Sequence, residues 1–175
     1  RKGELGGGHS HVAVLKRFGM QPVPGVRLTV ITRDAVTPYS GMLPGLIAGH
    51  YTHDEAHLDV RKLAAFAGAR LYHTSADGID TTRKRVFCAA RPPIPYDVLS
   101  VDIGSTPRTA GIDGSVEHTL PVKPVDDFLA GLDEIARRAA ATPGFKLSVI
   151  GGGAGVVELA LSLRHRLREV PEMSV

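Results

Sequence analysis

Lys146-Leu147-Ser148-Val149-Ile150-Gly151-Gly152-Gly153-Ala154-Gly155 is the stretch on which the reading of this chain turns. Its first half is apolar and β-branched, which predicts a buried strand over 146–150. Three glycines follow at once. Beyond them Leu159, Leu163 and Leu167 recur every fourth residue, which predicts a helix over 158–167. Strand, glycine turn and helix are the working half of a dinucleotide-binding α/β unit. The chain turns at Gly151, and the bare backbone of Gly153 can approach a pyrophosphate closely. The helix then aims its unpaired N–H groups and positive dipole end at the phosphates. Gly155 belongs to the same loop. The third small position of the G-x-G-x-x-G fingerprint is Val156, which predicts a slightly displaced helix.

An earlier copy of the pattern opens the chain. Gly6-Gly7-Gly8 leads into a helical run over 9–18, where Val12, Leu15 and Phe18 fall on one face. Pro22, Pro24 and Gly25 break it, and the β-branched run over 26–31 predicts a strand. Arg1-Lys2-Gly3-Glu4-Leu5 is almost wholly polar, so no strand is expected before this loop. Gly6, Gly8 and the following His9, Ser10 and His11 are candidate phosphate-loop residues. An acidic residue that holds a ribose is expected about 20 residues on. Thr32 and Arg33 stand there instead, and Asp34 lies two residues past Thr32. Thr32 could hydrogen-bond a ribose hydroxyl less strongly than a carboxylate would.

Between the two loops the signals are weaker. Residues 37–49, with Pro38, Gly41, Pro44 and Gly45, read as loop, and 54–67 as short helical pieces. A strand is expected at 69–73, a hairpin over 78–86 turning near Thr81-Thr82, and a short buried strand at 98–101. Residues 107–124 form a Gly- and Pro-rich connection. Phe128, Leu129, Leu132, Ile135 and Ala139 predict a strong helix over 125–141 that Pro143-Gly144 stops. Both ends read as cuts through a longer chain.

Composition excludes several classes. Hydrophobic residues make up 43% and charged residues 22%, which suits a globular protein. The net charge of +3 is spread along the chain rather than gathered in a stripe, so no nucleic-acid partner is expected. One cysteine, Cys88, excludes an intramolecular disulfide or a redox dithiol within this chain, and it reads as a packed small hydrophobe. No apolar run is long enough to cross a bilayer and no signal peptide opens the chain, which makes a cytoplasmic location the expectation. His50, His53 and His57, with Asp54 and Glu55, could gather on a metal only if one helix included His50, and Gly49 argues against that. A solvated helix start accounts for them, and no metal site is expected. Glu158 is either helix support or a residue near a bound nicotinamide or flavin. No catalytic acid or base can be named.

Five pieces in order carry a family resemblance: Gly6-Gly7-Gly8-His9-Ser10-His11-Val12, Thr37-Pro38-Tyr39-Ser40-Gly41-Met42-Leu43-Pro44-Gly45, Tyr96-Asp97, Ile103-Gly104-Ser105, and Val149 through Gly155 with Glu158-Leu159-Ala160. Together they resemble the pyridine nucleotide-disulfide oxidoreductase superfamily. The branch is that of type II NADH dehydrogenase-like proteins, especially those fused to selenide, water dikinase. The resemblance implies a Rossmann-like FAD/NAD(P)-binding α/β fold with a parallel sheet, here truncated. It implies an FAD-binding domain over 1–107, a connection and bridging helix over 108–144, and the start of an NAD(P)-binding domain over 145–175. FAD would lie on Gly6, Gly8 and His9 to His11, with Ser40, Gly41, Met42 and Pro44 along the flavin side. Ile103-Gly104 resembles the second FAD motif, in which Asp102 stands where threonine is common. NAD(P)H would lie on Gly151, Gly153 and Gly155, with Glu158 near the nicotinamide.

The implied parent is an FAD-dependent NAD(P)H oxidoreductase that passes electrons to a quinone or another small acceptor. Peripheral membrane association of the full-length protein, and fusion or partnership with selenide, water dikinase, are expectations of the same resemblance. The name "disulfide" does not carry over, because the paired cysteines are absent. Two rivals stand beside this reading: a non-catalytic nucleotide-binding or regulatory module, in selenium metabolism for instance, and a metal-binding protein built on the histidines. The family's FAD domain is completed by a later return segment, so this chain alone is expected to hold FAD weakly and to show no turnover. A visible spectrum of purified protein with added FAD checks this, and a tightly held stoichiometric yellow complex would contradict it.

Overall fold

The computed structural model describes residues 2–105 and 112–170. In chain order the elements are β1 (Lys2–Leu5), α1 (His9–Met20), β2 (Leu28–Thr32), β3 (Val36–Pro38), a 3-10 turn (Ser40–Met42), α2 (Leu43–Ala48), α3 (His53–Ala56) and β4 (His57–Asp59). There follow α4 (Val60–Phe66), β5 (Arg70–His73), β6 (Ala76–Asp80), β7 (Arg85–Cys88), β8 (Ile94–Pro95), β9 (Val98–Val101), α5 (Ser115–His118), α6 (Val125–Ala141) and α7 (Ala154–Arg166). They fall into two units, one built from 1–37 and 57–104 and the other from 38–56 and 105–175.

The first unit is organised by a parallel sheet in the order β5-β2-β1-β9. The expectation that no strand precedes the first glycine loop is overturned. Lys2–Leu5 is a strand with a parallel neighbour on each side, Leu5 standing opposite Ile31 and Val101. Parallel pairing uses backbone N–H and C=O groups that every non-proline residue carries, so a polar segment can take an inner place when its neighbours supply partners. In β2, Val30 and Ile31 are both fully buried although they face opposite ways. Val30 joins Leu15, Leu28 and Val60 under α1 and α4. Ile31 packs with Val86 and Cys88, beneath the small antiparallel sheet β6-β7-β8. Cover on both faces is what a strand of a parallel sheet requires, and it explains why this stretch is apolar without alternation. The expected hairpin over 78–86 is β6 and β7. The strand at 98–101 is present but not buried: Val98 is 56% and Val101 51% exposed, because β9 is an edge of the described sheet.

In the second unit, Phe128 and Leu132 of α6 meet Ile47 of α2 and Leu159 and Leu163 of α7 in one cluster. The Arg166 guanidinium donates to the Ile47 carbonyl at 3.3 Å and to Asp133 at 3.2 Å, which ties the end of α7 to α2 and α6. The α6 helix spans the residues expected and ends before Pro143-Gly144. Three expectations are corrected. The stretch 37–49 is not wholly loop, since α2 forms with Pro44 in its first turn, where the missing N–H costs nothing. The helical stretch expected over 54–67 is interrupted by β4. Residues 146–150 are not a strand: Lys146 makes a single bridge and 147–150 none. Leu147 and Val149 pack on the cluster while Ile150 is 76% exposed, so the apolar run serves packing without a ladder partner among the described residues. Among the described residues no helix is long and apolar enough to cross a membrane.

The start of α4 has a measurable electrostatic signature. The Asp59 side chain accepts from the Arg61 N–H at 2.9 Å and forms a two-pronged pair with the Arg61 guanidinium. That hydrogen-bonded guanidinium holds the Asp59 carboxyl below its ordinary range, at about 2. A carboxyl depressed in the folded state stabilises the fold above the pKa it has when unfolded, and the contribution disappears as pH falls through the folded value. Asp59→Asn should therefore lower the melting temperature at neutral pH and flatten its fall between about pH 4 and pH 2, as read by circular dichroism melts across that range.

Candidate functional site

The first glycine loop sits between β1 and α1. The Gly6 N–H donates to the Ile31 carbonyl at 2.8 Å, which carries the strand pairing up to the turn. Gly6 has φ +98°, and a Cβ there would lie 2.2 Å from the Asp102 carbonyl oxygen. Only glycine satisfies both the left-handed backbone and that approach. His11, in the first turn of α1, is buried at 1% exposure. Its Nδ1 lies 2.9 Å from the Gly6 carbonyl and its Nε2 2.9 Å from Ser100 Oγ on β9. A carbonyl only accepts, so Nδ1 carries the proton, and in the neutral ring Nε2 accepts from the Ser100 hydroxyl. With both ring nitrogens engaged inside the protein, His11 positions the loop and is not aimed at solvent.

Asp102 closes the other side. Its carbonyl accepts from the Gly8 N–H at 3.2 Å, and its Oδ2 accepts from the Ser10 N–H at 2.9 Å. A Cβ on Gly8 would overlap the Asp102 carboxylate, at 2.2 Å from Oδ1. Gly8 supplies no side-chain cap to α1, and a carboxylate 92 positions beyond Ser10 supplies it. The backbone of this loop has the form a dinucleotide phosphate needs. In the arrangement seen, however, the anion at the start of α1 is the protein's own Asp102 carboxylate, hydrogen-bonded to the Ser10 N–H.

The other candidates of this unit surround the loop at different depths. His9 and Ser10 are exposed on the first turn of α1. Thr32 is buried at the end of β2, and its hydroxyl donates to the Asp34 carbonyl at 3.0 Å. Arg33 is exposed and pairs with the Asp34 carboxylate at 3.0 Å. Ile103 and Gly104 follow Asp102; Ile103 is 70% exposed, and Gly104 has open space around it.

The second loop differs. Gly151 is tight, since a Cβ there would meet Val156 at 2.6 Å, so the bulk at the third fingerprint position fills the turn itself. Gly153, which caps α7 in an extended conformation, and Gly155 have no atom within 4 Å of an added Cβ. The helix begins at Ala154, earlier than the leucine pattern alone indicates, so its first N–H groups stand at the glycines. This open glycine-lined helix start fits an anionic phosphate. Glu158 is exposed one turn further on, and its carbonyl accepts from the Ser162 hydroxyl at 2.7 Å. Ser40, Gly41 and Met42 form the 3-10 turn of the same unit, with Ser40 and Gly41 exposed. Pro44 enters a shallow hollow of about 270 Å³ with His50 and with Leu161, Ser162 and His165 of α7.

The histidines do not share one helix. His50 precedes α3 and lies 4.8 Å from the ring of His165, His53 opens α3, and His57 is in β4. Of the local acids, Glu55 serves the helix start: the Thr52 N–H and hydroxyl donate to it at 2.8 and 2.9 Å, a capping box that holds the Glu55 carboxyl below its ordinary value, while Asp54 lies 3.6 Å from the His53 ring. Cys88 is buried beside Val86, and burial, with Asp77 nearby, raises its thiol pKa, which makes it a poor nucleophile. The contacts that sequence reasoning misses are those of Ser100 and Asp102, which reach the first loop across 89 and 92 residues. The one signal for them is the carboxylate standing at the end of β9 where threonine is common in the resembled family.

No protein-family model matches the chain, and no characterised protein matches it in sequence. Solved structures do match. The sulfide:quinone oxidoreductase of Aquifex aeolicus superposes with TM-score 0.75 at 18% identity, over 96% of this chain and 39% of its own. NDH2 of Plasmodium falciparum in complex with NADH gives 0.75 at 17%, over 96% and 37%. NADH:rubredoxin oxidoreductase of Clostridium acetobutylicum gives 0.69 at 21%, over 98% and 43%. The fold is accordingly the Rossmann-like α/β fold of FAD- and NAD-binding proteins, and the chain spans about two fifths of the length of the structures it matches.

The His11 linkage can be measured by a double-mutant cycle in urea. His11→Ala should cost about 2–4 kcal/mol, since it empties a buried site and leaves the Gly6 carbonyl unpaired. The pair His11→Ala/Ser100→Ala should cost about 1 kcal/mol less than the sum of the two single changes. Strict additivity would show that the two side chains do not interact.

Proposed function

We propose that this chain is part of an FAD-dependent NAD(P)H oxidoreductase of the pyridine nucleotide-disulfide oxidoreductase superfamily. The observation that carries the reading is the open start of α7 at Gly153 and Gly155, at the fingerprint position of a chain whose fold matches such enzymes over nearly its whole length. The cofactors supply the redox chemistry, hydride passing from NAD(P)H to FAD. The protein's own contribution is binding and orientation. In the second unit the first N–H groups of α7 and the bare backbone at Gly153 receive the NAD(P)H diphosphate, and Glu158 lies one turn along the same helix. In the first unit the β1–Gly6–α1 turn is the FAD loop, held in shape by His11 and Ser100. Ser40, Gly41, Met42 and Pro44 are assigned to the flavin side, and Thr32 and Arg33 to the ribose, on the strength of the sequence resemblance. In domain terms, 1–107 carries the FAD half, 108–144 the connection and 145–175 the start of the NAD(P) half.

The acceptor of the whole protein is read as a quinone or another small electron acceptor, which the sulfide:quinone oxidoreductase neighbour supports. A cytoplasmic location, peripheral membrane association and a link to selenide, water dikinase rest on the sequence reading alone. A second reading, a nucleotide-binding module without turnover, is favoured by Asp102, because a first loop occupied by the protein's own carboxylate leaves nucleotide binding to the second.

Gly153→Ala tests the nucleotide reading, since the added methyl meets nothing in the fold and would stand where a diphosphate approaches. Its melting temperature should stay within about 2 °C of the parent chain, while NADH affinity, by fluorescence titration, falls about tenfold. Equal affinity of the two proteins would remove the second loop from the NAD(P)H site. Flavin reduction by NADH in the full-length protein separates the oxidoreductase from the module without turnover.

A further inference from the structure

We infer that Asp102 is a displaceable internal anion of the first glycine loop: its carboxylate holds the place a diphosphate would take, and the loop admits a dinucleotide only when that side chain turns away. The inference rests on the proposed reading of this loop as a dinucleotide site and specifies how access to it is controlled.

Three contacts converge on residue 102. Its Oδ2 accepts from the Ser10 N–H at 2.9 Å in the first turn of α1. Its carboxylate fills the space that a side chain on Gly8 would occupy, with carbon and both oxygens within 2.2–2.3 Å of an ideal Cβ. Its carbonyl accepts from the Gly8 N–H at 3.2 Å. The glycine that a phosphate loop keeps bare for its ligand is here kept bare for an aspartate. The backbone and the side chain of this residue are separable. Residue 102 directly follows Val101, which is paired with Leu5, so its main chain is held by the ladder and by the Gly8 N–H. The carboxylate is held by the Ser10 N–H and is half-buried, so rotation about the Cα–Cβ bond carries it outward without moving β9.

Two anions cannot share one amide-lined helix start, because like charges at hydrogen-bond distance repel and both need the same N–H donors. Binding is then an exchange, diphosphate in and carboxylate out. The measured dissociation constant is the intrinsic one divided by the fraction of molecules whose Asp102 has already turned away. Removing the carboxylate removes that factor. A residue that only capped α1 would behave in the opposite manner, its loss weakening the fold and leaving nucleotide affinity unchanged.

The test uses the chain with ADP and FAD as probes, in calorimetric titrations of the parent protein, Asp102→Ala and Asp102→Asn, with a thermal melt of each. Asp102→Ala should bind both probes about tenfold more tightly while melting lower. Asp102→Asn, which keeps an acceptor for the Ser10 N–H without the charge, should fall between, and it carries the test if the alanine variant does not fold. Parent protein that binds FAD with variants that bind no tighter would overturn the gating role and leave the dinucleotide reading standing. Failure of all three proteins to bind either probe at millimolar concentration would overturn both.

Discussion

The backbone pairing of β1 with its neighbours is the constraint on which the rest of the first unit depends. Leu5 stands opposite Ile31 and Val101, and Gly6 continues the pairing with an N–H to the Ile31 carbonyl. That register delivers the chain into the glycine turn at the end of the sheet where β9 also ends. Residues 102 to 104 are therefore presented to the turn by the same ladder that builds it. A polar segment can fill the inner position because the ladder is built from main-chain groups. The apolar cover is supplied by β2, whose two faces are buried by different partners.

Upon that frame His11 and Asp102 act as opposite kinds of tie. His11 is sealed, with one ring nitrogen on the loop carbonyl and the other on β9, so the turn and the strand cannot shift separately without breaking a buried hydrogen bond. Asp102 is half-buried and touches the loop twice, through its carbonyl on the Gly8 N–H and through its carboxylate on the Ser10 N–H. One residue fixes the shape of the loop and the other fills it. The first unit thus joins a buried tie at His11 to a half-buried carboxylate at the start of α1.

The second unit follows a different logic. Leu147 and Val149 contribute to a helical cluster rather than to a ladder, and α7 is tied to α2 and α6 by leucines and by Arg166. Its glycine loop is tight only at Gly151, where Val156 fills the turn, and open at Gly153 and Gly155. The bulk that departs from the fingerprint is absorbed at the bend and does not reach the space ahead of the helix. The two loops look alike in composition yet present different surfaces, one internally satisfied and one open.

The sequence by itself determined the elements whose evidence is local. The α6 helix, the glycine turns, the hairpin of β6 and β7 and the apolar run of β2 are written in spacing and residue type, because a helix face or a tight turn is decided by residues a few positions apart. The fold class followed from the order of those elements. What only the tertiary structure decided is everything that depends on a partner far along the chain. Lys2–Leu5 becomes a strand because β2 and β9 flank it, and 147–150 makes no ladder because no described neighbour pairs with it. His11 changes from a loop neighbour to a buried tie because Ser100 reaches it. The first glycine loop reads in sequence as a vacant phosphate cradle, and Asp102 fills it across 92 residues, a separation at which spacing carries no information about contact.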